Sequence, residues 1–253
     1  MQALDFSSDA AKKTINDWVA GNTQNRIKSV IDDKIDASSV MFLINTIYFK
    51  SDWRTPFAAT DTYDATFHAA NGDVAVKMMK KTDGFGYFEN ADLQAVRLPY
   101  SDGRTSMLVL LPKVGHEAAT DTLTATLWNA VLAGVGTGNQ QLVLRLPRTN
   151  FEFKTELKTP LSDLGMPTAF TDLADFTGIS SDVGLTIGSV IHKTFLAIDE
   201  KGTEAAAATS VDVRTTAMPI EPGLKVTVDR PFVVAIIDDA TGLPIFLGHI
   251  ATP

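Results

Sequence analysis

Strands that arrive in runs, with helical stretches grouped between them, predict an α+β fold over 253 residues read as one domain. Three observations carry that prediction. Residues 61–112 alternate short β-type runs with turn dipeptides. Two stretches, 10–20 and 121–132, space their apolar residues as a helix does. The last third closes on β runs at 225–228, 232–237 and 244–250. At 45% hydrophobic and 21% charged, the chain can bury a large core.

Taken in order, Ser7, Ser8 and Asp9 offer N-caps for a helix over 10–20, in which Ile15, Trp18 and Val19 share a face and Gly21 supplies the stop. A short apolar pattern, Ile27, Val30 and Ile31, precedes residues 38–49, rich in Val, Ile, Phe and Tyr, which read as a buried strand. In the antiparallel territory that follows, Asn71-Gly72, Asp83-Gly84 and Asp102-Gly103 each predict a turn between apolar segments such as 95–98 and 107–111. Leu123, Leu127, Trp128 and Val131 predict one helical face over 121–132, ended by the glycines at 134–138. Strand character resumes at 141–146, residues 157–164 read as helical, and 190–198 alternate again, while residues 239–242 predict the turn before the last strand. No internal repeat or flexible linker divides the chain.

Composition removes whole classes of function. Lys and Arg total 22 against 30 Asp and Glu, a net charge of −8, so the cations that neutralise phosphates are too few for nucleic acid or an anionic membrane to be a partner. Cysteine is absent, which excludes disulfide scaffolds, thiolate nucleophiles and cysteine-based zinc sites. The apolar stretch 40–48 is interrupted by Asn45 and Thr46 and is too short to span a bilayer. Residues 1–6 lack a leader's basic start and apolar core, and no Asn-x-Ser/Thr acceptor occurs. No enzyme motif emerges either. There is no Gly-x-Ser-x-Gly, His116-Glu117 lacks the second histidine of a zinc helix, and Gly134, Gly136 and Gly138 do not open a nucleotide loop. His68, His116, His192 and His249 have no ligand spacing, so no metal, cofactor or catalytic residue is expected.

Residues 200–218 behave unlike the rest. Read at period 2, one face collects Thr203, Ala205, Ala207, Thr209, Val211 and Val213, and the other Glu204, Ala206, Ala208, Ser210, Asp212 and Arg214. That is the pattern of a half-buried strand. The four consecutive alanines suit an Ala-rich helix or a surface loop equally well, and periodicity does not choose. A third reading combines them: a loop at one time and an inserted strand at another, with side chains small enough to enter a packed sheet.

These residues resemble the hinge of one known family, the serpins, over 198–209, almost letter for letter. The likeness continues through 45–50 with Trp53 and Phe57, through 76–81 ahead of Phe85, Leu98-Pro99-Tyr100, and 107–112. It then runs through Leu146-Pro147 ahead of Phe151, Leu164-Gly165-Met166 with Ala169-Phe170, 229–232, and Phe246-Leu247-Gly248 before Pro253. An ordered set of this length is specific. The chain begins at what resembles the strand ahead of the helix carrying Trp18, so the family's N-terminal helices and two strands find no counterpart in it. The resemblance thus implies a serpin-like α+β fold, N-terminally truncated. Multi-stranded, mostly antiparallel sheets would carry surrounding helices and an exposed reactive loop at about 202–222, and a separate N-terminal serpin segment would be a possible partner.

The same resemblance implies a serine protease inhibitor that acts as a suicide substrate, the alternative being a non-inhibitory serpin with a carrier, chaperone or storage role, or an inactive serpin fragment. A target protease attacks the loop, forms its acyl-enzyme, and is trapped when the cleaved loop enters the main sheet of a metastable fold. The resemblance places the hinge at Glu200, Gly202, Thr203, Glu204, Ala205, Ala206, Ala207, Ala208 and Thr209; inhibitory serpins need small hinge residues, and Thr203, Ala205, Ala207 and Thr209 conform. The family's spacing puts the attacked bond between Thr216 and Ala217. A Thr216 P1 residue favours an elastase- or subtilisin-like target, whereas cleavage after Arg214 would favour a trypsin-like one. Asn45 and His192 match the family's shutter and Trp53 its breach, although His192 by itself would pass for an ordinary core histidine. The family implies extracellular work. Without a leader in this chain, cytoplasm or periplasm stays open.

Overall fold

The computed structural model describes residues 4–6, 8–32, 35, 41–179, 184–203 and 222–253. In chain order its first elements are helix α1 (Asp9–Asn22) and strands β1 (Phe42–Tyr48), β2 (Ser51–Asp52), β3 (Tyr63–Ala69), β4 (Gly72–Glu89), β5 (Leu93–Pro99) and β6 (Thr105–Pro112). Helices α2 (Ala118–Asp121) and α3 (Ala125–Val135), strands β7 (Gln140–Pro147) and β8 (Thr149–Glu156), and helix α4 (Lys158–Asp163) follow. The chain closes on β9 (Ser189–Ile198), β10 (Gly202–Thr203), β11 (Lys225–Thr227), β12 (Phe232–Asp238) and β13 (Pro244–Ile250). Mixed sheets with a few helices make this the α+β fold expected. Its contacts cluster into two units, Met1–Tyr48 with Phe151–Leu196, and Phe49–Asn150 with Ala197–Pro253.

In the first unit, Ser8 caps α1, its Oγ accepting from Ala10 N at 3.2 Å. Ala11, Ile15 and Val19 bury one stripe against Ile27, Val30, Ile31 and Ile191. Asn16, a polar residue beside that stripe, clasps the following loop: its Nδ2 donates to Ile31 O, and its Oδ1 accepts from Val30 N and Ile31 N. Two expectations need correction. Gly21 does not end α1, which runs on to Asn22; the reversal comes from Gln24 and Asn25, at φ 48° and 61°. Trp18 lies off the Ala11–Ile15–Val19 stripe and is 52% exposed, at the rim of a hollow of about 400 Å³ that Phe6, Phe42 and Ile44 also line. Strands β1 and β9 form a parallel ladder from Phe42 opposite Ser189 to Tyr48 opposite Phe195. β9 also pairs with β8, a strand that the sequence reading did not include although Phe151 and Phe153 alternate with polar residues in it.

The second unit holds an eight-stranded sheet in the order β11-β7-β4-β5-β6-β12-β13, with β3 on β4. Every ladder in it is antiparallel except β11 on β7. The turns at Asn71-Gly72 and Asp102-Gly103 form as expected, with Gly72 at φ 119° and Gly103 at φ 68°. The turn expected at Asp83-Gly84 does not. β4 runs straight through it, pairing 78–85 with β7 and 86–89 with β5. Gly84 is instead paired with Gln141 of β7, and two residues on, Gly86 has a reason of its own to be glycine: a Cβ there would lie 2.7 Å from Val135 O and 2.8 Å from Gly136 O. Glycine serves close backbone approach here, not a turn. The single helix expected over 121–132 divides in two because Thr124 Oγ1 accepts from Leu127 N at 3.2 Å and so caps α3 afresh. Val131 and Val135 of α3 then pack on Leu93, Leu108, Leu110, Val233 and Ile237.

Candidate functional site

Where β9 ends at Ile198 the chain turns back on itself. Asp199 builds the turn: its Oδ1 accepts from Lys201 N at 2.8 Å and Gly202 N at 3.2 Å, and its own N donates to Gly202 O at 3.0 Å. Thr203 is thereby returned to a position opposite Ile198, while Gly202 and Thr203 pair with Asp52 and Ser51. The three carbonyls exposed by the turn are all taken up by one segment. Trp53 Nε1 donates to Asp199 O at 2.9 Å, Phe57 N to Glu200 O at 2.7 Å and Trp53 N to Lys201 O at 2.6 Å. Gly202 fits because it has no side chain. A Cβ would strike the Ser51 carbonyl oxygen and sit 2.6 Å from Asp52 Cα.

Glu200 is 6% exposed, and a buried carboxylate requires partners. It has them. Arg148 Nε lies 2.9 and 3.0 Å from the two carboxylate oxygens, Arg148 Nη2 2.6 Å from Oε1, and Thr62 Oγ1 2.5 Å from Oε1. Burial alone would raise the carboxyl's pKa, but these donors outweigh it and hold the group below its ordinary value of 4.5. A carboxylate with a depressed folded-state pKa stabilises fully above the unfolded value and loses that contribution as pH falls through the folded one. Glu200→Gln should therefore cost about 1–3 kcal/mol at pH 7. In urea denaturation at stepped pH, the gap to the parent should narrow progressively as pH falls below the unfolded value of about 4.3. A gap that stays constant with pH would refute the charged role.

Asn45 and His192 are opposite one another in the β1/β9 ladder, with His192 Nδ1 3.1 Å from Asn45 Oδ1. An oxygen acceptor assigns the imidazole proton to Nδ1, and burial lowers the ring's pKa, which favours that neutral form. His192 is no buried core histidine: it is half-exposed and bonded across the ladder. Trp53 belongs with the turn after β9 in the second unit, Asn45 and His192 with the ladder in the first. Of the expected hinge, Glu200, Gly202 and Thr203 are at this turn. Glu204, Ala205, Ala206, Ala207, Ala208 and Thr209 lie outside the described residues, as do Arg214, Thr216 and Ala217.

Sequence reading missed Arg148, Thr62 and Tyr100. Tyr100 is fully buried, its Oη 2.6 Å from Thr203 Oγ1 and its ring stacked on Trp53 at 4.8 Å. An arginine after Leu146-Pro147 and an acid in a segment of small residues are the one available hint of the ion pair. Among the described residues, no group of His, Asp or Glu is placed to hold a metal ion, and no helix is long and apolar enough to cross a membrane.

Comparison with known proteins converges on one family. The model for serpins, serine protease inhibitors, matches residues 1–253. A serpin-like protein of Thermococcus kodakarensis is 39% identical over 254 residues, covering 99% of this chain and 59% of its own length. Leukocyte elastase inhibitor A of Mus musculus is 34% identical, with 99% and 69% covered. Among solved structures, the thermophilic serpin tengpin in its native state matches with a TM-score of 0.85 at 32% identity, over 97% of this chain and 64% of that one. Human thyroxine-binding globulin with bound thyroxine matches at 0.87 and 28%, over 99% and 66%. The chain thus spans about three fifths of the Thermococcus kodakarensis relative's length. That family is one of protease inhibitors and their non-inhibitory relatives, not of catalysts. A match over the full chain, joined to a fold and a turn built as described, means that this chain belongs to the serpin family.

Proposed function

We propose that this serpin inhibits serine proteases as a suicide substrate, presenting the bond between Thr216 and Ala217 and trapping the acyl-enzyme by strand insertion. The observation that carries the reading is the seat of β10. Gly202 and Thr203 are already paired, antiparallel, as the first rungs of a strand beside β9. Continued along β9, that register sets Ala205 opposite Leu196, Ala207 opposite Thr194 and Thr209 opposite His192. Leu196 and Thr194 are buried, so Ala205 and Ala207 would meet the packed face.

In the inserted state the new strand takes the place of β1 beside β9. Entry breaks the parallel ladder and the bond between His192 and Asn45, which makes that pair the shutter and the Trp53 turn the breach. Each ladder hydrogen bond gained contributes roughly 0.5–1.5 kcal/mol net, so about a dozen residues release on the order of 10 kcal/mol, enough for a trap that does not reverse. A carrier role, favoured by the likeness to thyroxine-binding globulin, is the second reading. Likeness to a leukocyte elastase inhibitor and a small Thr216 favour an elastase- or subtilisin-like target, with a trypsin-like one if Arg214 is P1. Such targets, like the family, favour an extracellular setting. Incubation with elastase, subtilisin and trypsin, followed by a denaturing gel and mass spectrometry of the released peptide, should yield a covalent adduct and cleavage after Thr216. Cleavage with no adduct would refute inhibition and favour the carrier.

A further inference from the structure

We propose that Tyr100 is a positioning residue for the trap. Its hydroxyl keeps Thr203 seated between β9 and β2, and so sets how many attacked molecules are captured instead of released. This deepens the inhibitory reading and rests on it.

Tyr100 and Thr203 are both at 0% exposure, and their hydroxyls meet at 2.6 Å. Neither side chain has water to fall back on, so separating the two leaves polar groups buried and unpaired. Tyr100 is itself held on every side. Its ring stacks on Trp53 at 4.8 Å with 10° between the planes and leans on Phe49 at 4.9 Å. Its N donates to Thr105 O at 3.0 Å, and the next residue, Ser101, donates to Asp52 O at 2.8 Å. Burial also pushes the phenol's pKa well up, so the hydroxyl keeps its proton throughout the working pH range. A rigid phenol gripping the first residue of the strand that must form has a kinetic consequence. The ordering of Thr203 is completed before the protease arrives, and insertion starts from a fixed rung. Without the grip, insertion starts later while deacylation keeps its own pace, and more inhibitor is lost as cut product.

Four variants test this: Tyr100→Phe, Thr203→Val, the two combined, and Thr203→Ser, which keeps a hydroxyl. The readouts are the number of molecules cleaved per molecule trapped, and amide hydrogen exchange of the peptide spanning 199–203 in uncut protein. Tyr100→Phe and Thr203→Val should each raise the cleaved-to-trapped ratio about threefold to tenfold, the change one hydrogen bond makes in a rate. The double variant should be no worse than either single, and Thr203→Ser should behave as the parent. Exchange at 199–203 should quicken in the first three variants only. An unchanged ratio in Tyr100→Phe, or additive single effects, overturns the proposal. If the parent protein itself traps nothing, the inhibitory reading fails, and exchange alone then decides whether Tyr100 seats Thr203: unchanged exchange overturns that as well.

Discussion

Arginine in place of Ala207 is expected to convert the inhibitor into a plain substrate, with cleavage at the parent rate and no covalent complex on a denaturing gel. In the register continued from Thr203 opposite Ile198, position 207 faces the same side as Thr194, which is 6% exposed. A guanidinium there would be buried with no carboxylate assigned to it, at a cost of about 3–5 kcal/mol. That is a large share of what the insertion releases, and it slows entry by roughly two to four orders of magnitude, so deacylation wins. The neighbouring substitution is the control. Ala206→Arg turns the same charge to the opposite face, and its complex should form as in the parent. Trapping by Ala207→Arg, or equal loss in both variants, would dispose of the register.

The second large effect is expected at Gly202→Ala. The added methyl would run into the carbonyl oxygen of Ser51 and come within 2.6 Å of Asp52 Cα, and these are backbone atoms that cannot swing aside. The pairing of β10 with β2 has to open, which also pulls Thr203 off Tyr100. Overpacking of this kind costs about 1–3 kcal/mol, or roughly 3–10 °C in Tm for a chain of this size. Gly223→Ala, at a position where a Cβ meets nothing within 4 Å, should leave Tm where it was. A Gly202→Ala protein that melts with the parent would mean that the seat is looser than described. By the inhibitory reading it should also trap poorly, since the strand has lost its first rung.

Several of these expectations could be formed from residue types alone. Ser8 as a cap, the turns at Asn71-Gly72 and Asp102-Gly103, and the period-2 pattern from Thr203 onward are local chemistry, each decided within a few neighbours. The errors came where one residue type answers two needs. Asp83-Gly84 has the composition of a turn, yet β4 runs on through it in register with β7, and Gly86 just beyond serves the close passage of the backbone at Val135 and Gly136, contributed from some fifty residues away. Trp18 has the hydrophobicity of a core residue, but its angular offset from Ala11, Ile15 and Val19 leaves it at a rim. β8 was missed although Phe151 and Phe153 alternate with Asn150, Glu152 and Lys154, because the run is short and mostly exposed, and its pairing with β9 is what makes it a strand.

At the site the division is sharper. By itself the sequence determined the family, the α+β class and the small-residue face after Gly202, because these are written in residue type and spacing. What only the tertiary structure decided is which distant groups meet there. Arg148 and Thr62 on the Glu200 carboxylate, Trp53 and Phe57 on three consecutive carbonyls, and Tyr100 on Thr203 are brought together across 52 to 148 positions of chain. A buried carboxylate or hydroxyl must find a partner, but which one is settled by how strands pack, and no pattern confined to a few consecutive residues contains that information.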